Sequence, residues 1–237
     1  MDLRAILDPR VIEVCGALSQ SRLATSFYLA GGTGLALQLG HRKSDDLDFF
    51  PCDAKEAIRT RAVVREIERL FGKAGTIVVL RESAQITLNI AGIKTSFIGY
   101  PFVPMHPLVE AGAILPELRG TRLAHPREIA AMKAYALGRR AVIRDYVDLY
   151  FLLQSGIVTL DDIIGDAVAK FIVEGERLFS IKLFLEQLSY MRDMEDAGIA
   201  LRLVTQPGLT AEAVEAFLRR EARDYLEQQA GTVSRES

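Results

Sequence analysis

Four residues in FYLAGGTGLALQLGHRKSDDLDFF (27–50) have types and spacing that could do chemistry together: Gly31, Gly32, Asp46 and Asp48. Residues i and i+2 of a strand point to one face, roughly 6–7 Å apart along the chain. Asp46 and Asp48 on such a strand can reach one hard cation, because Mg²⁺–oxygen bonds are about 2.1 Å. Leu47, Phe49 and Phe50 around them are apolar, and aspartate is depleted in strands, so the pair needs a reason. A solvent-facing strand end, with Asp45 as a third turn acid, would be one such reason. Gly31-Gly32 supplies another. It follows an apolar run and precedes a helix start, where exposed N–H groups and the positive helix end make a phosphate seat. Thirteen residues lie between Gly32 and Asp46. A phosphate cradle followed by paired carboxylates is what nucleotidyl transfer requires: one part holds the triphosphate, the other the metal. The motif is neither GxxxxGK nor GxGxxG. Taken alone, the glycine pair reads as a tight strand–helix turn.

The residues between these motifs are suggestive. Thr33 can cap a short helix, GLALQL, stopped by Gly40. His41, Arg42 and Lys43 suit a triphosphate, an RNA backbone or a solvated loop. Ser44 can donate to a phosphate or to Asp46.

A second constellation is MKAYALGRRAVIRDYVDLY (132–150). Lys133 interrupts an apolar helical run. Asp145 and Asp148 are three apart and so share a helix face. Val147, Leu149, Phe151, Leu152 and Leu153 surround Asp148, where an acid is costly unless paired. A structural Lys133–Asp148 or Arg–Asp pair between two helices accounts for this as well as a catalytic role does. Arg139, Arg140 and Arg144 add a basic patch.

The elements that must position these residues follow from periodicity. Residues 3–19 have helical spacing, with Pro9 as a kink. Strands are expected at 26–32 and 47–50, then a charged amphipathic helix at 54–71. Strands follow at 76–80, 85–90 and 94–100, with Ala91–Gly92 turning between the last two. PFVPMHP is a proline-rich connector, and an irregular stretch follows it. Pro126 suits a first helical position. Helices are expected at 127–139, 142–154, 160–173, 177–192 and 210–228. The expected class is α+β: a small mixed sheet in a domain over 1–105, a helical bundle over 106–230, and a frayed tail over 231–237.

Both blocks, in order over about residues 20–155, resemble the AbiEii/AbiGii toxin family of the DNA polymerase β-like superfamily. The carrying segments are GGTGLALQLGHRKSDDLDFF and REIAAMKAYALGRRAVIRDYVDLYFLL. The resemblance implies an N-terminal nucleotidyltransferase fold and a C-terminal helical domain. It implies catalysis by Asp46, Asp48, Lys133 and Asp148, with Asp46 and Asp48 holding Mg²⁺ or Mn²⁺. It places Gly31, Gly32, Thr33, Arg42, Ser44 and Asp145 at the nucleotide. The implied partners are an NTP, tRNA or another RNA as acceptor, and a cognate antitoxin. Lys133 is then expected in a solvated cleft, with room left by Ala130, Ala131, Ala134 and Ala136. One departure stands out: QITLNI and KTSFIGY carry no third carboxylate, only Asn89, Thr95 and Ser96. The alternatives are therefore a catalytically weak NTP-binding protein, or an RNA or protein interaction module using the Arg-rich helical domain.

Composition excludes other classes. The chain has 237 residues, 49% apolar and 25% charged, an ordinary globular mix. At this size it can bury roughly 70–75% of its unfolded surface without disulfides or a structural metal. A net charge of -2 excludes a polybasic coat. Arginine outnumbers lysine, 22 to 7, which favours bidentate anion contacts but also suits a GC-rich genome. Cys15 and Cys52 form no zinc or disulfide pattern. No apolar stretch approaches a membrane span, and a cytoplasmic location is expected.

Overall fold

Alternation along the strands sets the architecture. Phe27, Leu29, Leu47, Phe49, Ile86, Leu88 and Phe97 occupy alternate positions and join one buried apolar cluster. The residues between them face the other way, and those include Asp48, Thr87 and Ser96. The computed structural model describes residues 3–53, 58–140, 142–191 and 197–233. It divides into two compact units, Met1–His125 and Pro126–Ser237.

In the first unit, α1 (Pro9–Ser19) leads to β1 (Phe27–Ala30), α2 (Gly31–Leu39) and β2 (Leu47–Pro51). Then come α3 (Thr60–Phe71), β3 (Thr76–Arg81), β4 (Gln85–Ile90), β5 (Ile93–Ile98), β6 (Val109–Glu110) and β7 (Arg122–Leu123). The seven strands form one mixed sheet in the order β3-β4-β5-β2-β1-β7-β6. β2 is central, antiparallel to β1 and parallel to β5. Val11, Val14 and Leu18 of α1 and Val63 and Ile67 of α3 cover its apolar face. Pro9 is no kink. It is the first helical residue, and the Asp8 carboxylate caps the helix by accepting from the Arg10 N–H at 2.9 Å. The expected helix at 54–71 starts at Thr60; positions 54–57 lie outside the described residues.

The second unit contains α4 (Pro126–Leu137), α5 (Ile143–Gln154), α6 (Leu160–Lys170), α7 (Ile181–Leu188), α8 (Ala197–Arg202) and α9 (Ala211–Val233). α4 packs on α5, α6 and α7, and α9 packs on α5, α6 and α7. Thr159 and Asp162 close a capping box at the start of α6. A small hairpin, β8 (Ile172–Val173) with β9 (Glu176–Arg177), replaces the end of the helix expected at 160–173 and the start of the one expected at 177–192. α9 runs to Val233, so the expected frayed tail begins inside a helix; 234–237 lie outside the described residues. Among the described residues no helix is long and apolar enough to cross a membrane.

Candidate active site

The site begins where β1 turns into α2. Gly31 has φ +63°, the left-handed region that favours glycine. A Cβ at Gly31 would stand 2.8 Å from Asp48 Oδ2, so even a residue tolerant of that φ would strike the acid. A Cβ at Gly32 would run into the Arg42 guanidinium and lie 3.1 Å from Ser44 Oγ. Glycine turn, guanidinium, hydroxyl and carboxylate therefore converge on one spot. α2 starts at Gly31 itself, with Ala30 as N-cap and no side-chain cap. Its first N–H groups take no side-chain acceptor from that position. Thr33, expected as the cap, lies inside the first turn instead.

Pairing explains why Asp48 lies here. Ala30 opposes Asp48 across β1–β2, and Asp48 neighbours Ser96 across β2–β5. Ser96 opposes Thr87 on β4, and their hydroxyls are 3.1 Å apart. One row thus runs Ala30, Asp48, Ser96, Thr87 on the face away from the apolar cluster. Asp46, just ahead of β2, makes an ion pair with Lys94 at 3.5 Å. Asp46 and Asp48 are both half-buried. The Thr33 hydroxyl donates to the Asp46 carbonyl at 2.5 Å and lies 2.9 Å from Ser44 Oγ. Of the three basic residues at 41–43, only Lys43 is exposed. His41 and Arg42 are buried, at 3% and 2% exposure, so the solvated-loop reading fails for both. Arg42 also donates to the Lys43 carbonyl at 3.0 Å.

The donor set suits a hard cation. It offers two half-buried carboxylates, one of them lying directly against the bare Gly31. Among the described residues no group of three or more His, Cys, Asp or Glu side chains is placed to hold a metal. On the neighbouring strand the position beside Asp48 is held by Ser96, which is not an acid.

The second constellation lies wholly in the helical unit. Lys133 on α4 reaches Asp145 at 2.5 Å and Asp148 at 2.6 Å, both on α5. Asp145 and Asp148 are 2% and 0% exposed, and Lys133 is 8% exposed. Arg140, on the surface, adds a weaker contact to Asp145 at 3.6 Å. The expected solvated cleft around Lys133 is therefore corrected: the ammonium is buried between two carboxylates. Ala130, Ala131 and Ala134, expected to leave room, are themselves buried.

The model of the family "Nucleotidyl transferase AbiEii toxin, Type IV TA system" matches residues 14–235. The chain belongs to the AbiEii family. A curated relative, "Uncharacterized protein aq_aa25" of Aquifex aeolicus, is 30% identical over 210 residues, covering 86% of this chain and 90% of its own. Among solved structures, MenT4, the nucleotidyltransferase toxin Rv2826c of Mycobacterium tuberculosis H37Rv, aligns with TM-score 0.54 and 19% identity. That alignment covers 90% of this chain and 82% of MenT4. A putative nucleotidyltransferase from H. pylori aligns with TM-score 0.51 and 18% identity, over 93% of each chain. These structural likenesses are likenesses of fold.

The candidate site residues thus fall into two groups. Gly31, Gly32, Thr33, Arg42, Ser44, Asp46 and Asp48 are brought together in the first unit. Lys133, Asp145 and Asp148 are brought together in the second. Sequence reading passed over Lys94, Thr87 and the role of Ser96 beside Asp48. The signal was present: alternation from Phe97 places Ser96 and Lys94 on the polar face.

Proposed function

We propose that this AbiEii chain is a metal-dependent nucleotidyltransferase that moves a nucleotide from an NTP to an RNA acceptor, with tRNA the first acceptor to test. The acceptor hydroxyl attacks the α-phosphorus and loses its proton, a new P–O bond forms, and the bond to the leaving pyrophosphate breaks. The observation that carries this reading is the convergence on Asp48. The bare Gly31 lies against the carboxylate, and Gly32 lies against Arg42 and Ser44. Anionic phosphate has N–H, guanidinium and hydroxyl donors on one side and a cation-holding acid on the other. Asp46 and Asp48 would hold Mg²⁺, which when bound neutralises charge on the phosphate oxygens. Arg42 and the first turn of α2 hold and orient the phosphates, so little movement remains before attack. Lys133 enters as a supporting group, since Asp145 and Asp148 already share its charge. The family's description as a type IV toxin implies an antitoxin partner. Two unclustered cysteines suit work in a reducing cytoplasm.

Ser96 in place of an acid favours a second reading, an NTP-binding protein with weak transfer. One experiment separates them: labelled NTP, Mg²⁺ and total tRNA with wild type and Asp48→Asn. Wild type should label tRNA, and Asp48→Asn should not, while melting as wild type does. Equal labelling by both would overturn the assignment. NTP binding without product from wild type would favour the second reading.

A further inference from the structure

We infer that Thr33 is a positioning residue: it holds the first carboxylate of the site, Asp46, in place rather than touching the nucleotide. The inference rests on the reading of Asp46 and Asp48 as a metal-holding pair. The two acids are anchored differently. Asp48 lies inside β2, where pairing with Ala30 on one side and Ser96 on the other fixes its backbone. Asp46 lies one residue ahead of β2 and outside that ladder. Its carbonyl accepts from the Thr33 hydroxyl at 2.5 Å.

The Thr33 hydroxyl has one proton and two acceptors in reach, and the Asp46 carbonyl is the nearer. A carbonyl can only accept, so the single proton of Thr33 is used on Asp46. The contact to Ser44 Oγ, at 2.9 Å, is the longer of the two in which the Thr33 hydroxyl can donate. Thr33 is 1% exposed and Ser44 9%. A hydroxyl whose single proton is committed within the protein, closed to solvent, has none left to offer a phosphate. Its contribution is a tie. Thr33 stands in the first turn of α2, two residues after Gly31, so one short bond fixes the glycine turn relative to Asp46. A metal site tolerates little drift in its ligands, and groups that orient the ligands commonly change metal affinity about 10–100-fold when removed.

The test uses the full-length protein and Mn²⁺ alone, titrated without nucleotide and followed by electron paramagnetic resonance. Thr33→Val keeps the shape and deletes the hydroxyl; Thr33→Ser keeps the hydroxyl. Thr33→Val should weaken Mn²⁺ binding by about tenfold or more, and Thr33→Ser should restore it to within about twofold. In transfer assays Thr33→Val should lower kcat and leave KM for the NTP nearly unchanged. If Thr33→Val does not fold, Thr33→Ala and Thr33→Ser differ by the hydroxyl alone and carry the same comparison. Wild-type Mn²⁺ affinity in the variant lacking the hydroxyl overturns the inference, and so does a raised KM with Mn²⁺ binding intact. Wild-type affinity in Asp48→Asn would instead bring down the metal-pair reading itself.

Discussion

At the scale of single residues, the most constrained position is the glycine pair. Gly32 has an ordinary helical position but no space, because a Cβ there meets Arg42 and lies 3.1 Å from Ser44 Oγ. Gly32→Val should therefore displace the guanidinium from the turn and weaken NTP binding by at least about tenfold, close to 1.4 kcal/mol. The check is calorimetric titration alongside a melting curve: equal NTP affinity would reduce the glycine to a turn former. This site was legible in the sequence as far as residue types and spacing reach. Two carboxylates two apart and a glycine pair before a helix are local signals. The Thr33–Asp46 bond was not legible, since it joins residues 13 apart through a backbone carbonyl that every residue carries.

At the scale of elements, the helical unit is braced by buried charge. Glu128 and Lys170 meet at 2.5 Å, tying α4 to α6. Arg127 on α4 grips both oxygens of Asp166 on α6, at 2.9 and 3.0 Å. Lys133 joins α4 to α5 in the same manner, with two acids to one base. Removing its ammonium leaves two buried carboxylates facing each other. Lys133→Ala should cost about 3–5 kcal/mol, seen as a clear fall in the urea midpoint. A variant that melts as wild type would return Lys133 to an open cleft. The same scale shows why some elements were readable. β2 to β5 have five or six residues each, enough for alternation to show. β6, β7, β8 and β9 have two residues each, too few for any period. The α2 start was misplaced because Gly31 and Gly32 read as a turn, whereas they form the helix's first turn.

At the scale of the whole molecule, the break between units falls after His125, twenty residues beyond the boundary expected at 105 within the proline-rich connector. The reason is long-range: β6 and β7 return to the sheet, and β7 pairs with β1. No local composition signal announces such a return. Global stability carries a pH signature drawn from both units. Burial pushes the Cys15 thiol up to about 11 from 9.0. Burial, with Asp145 nearby, pushes Tyr146 up to about 12 from 10.0. Above pH 9.0 the unfolded thiol releases a proton that the folded thiol keeps, so stability falls as pH rises toward about 11. Lys170 works in the opposite sense. Burial lowers its value despite Glu128, so its folded form sheds a proton early and stability recovers as pH rises toward 10.5. Cys15→Ala isolates the thiol. Its melting temperature should fall less than that of wild type between about pH 8 and about pH 10. An identical fall in both proteins would show that the thiol titrates alike in the folded and unfolded states.

The pairing of β1 with β7 also has a consequence for biosynthesis. Leu29 aligns with Leu123, and the Ala124 N–H closes the seam on the Leu29 carbonyl at 2.9 Å. Chains leave the ribosome N-terminus first and begin to fold as they emerge. The glycine turn, both aspartates and β5 are all translated before β7. A nascent chain therefore carries an assembled acid pair while one backbone edge of β1, an otherwise fully buried strand, still waits for its partner. Stalled or prematurely terminated products ending between β5 and β7 should expose that edge to one another. Their solubility should step up once Ala124 is included.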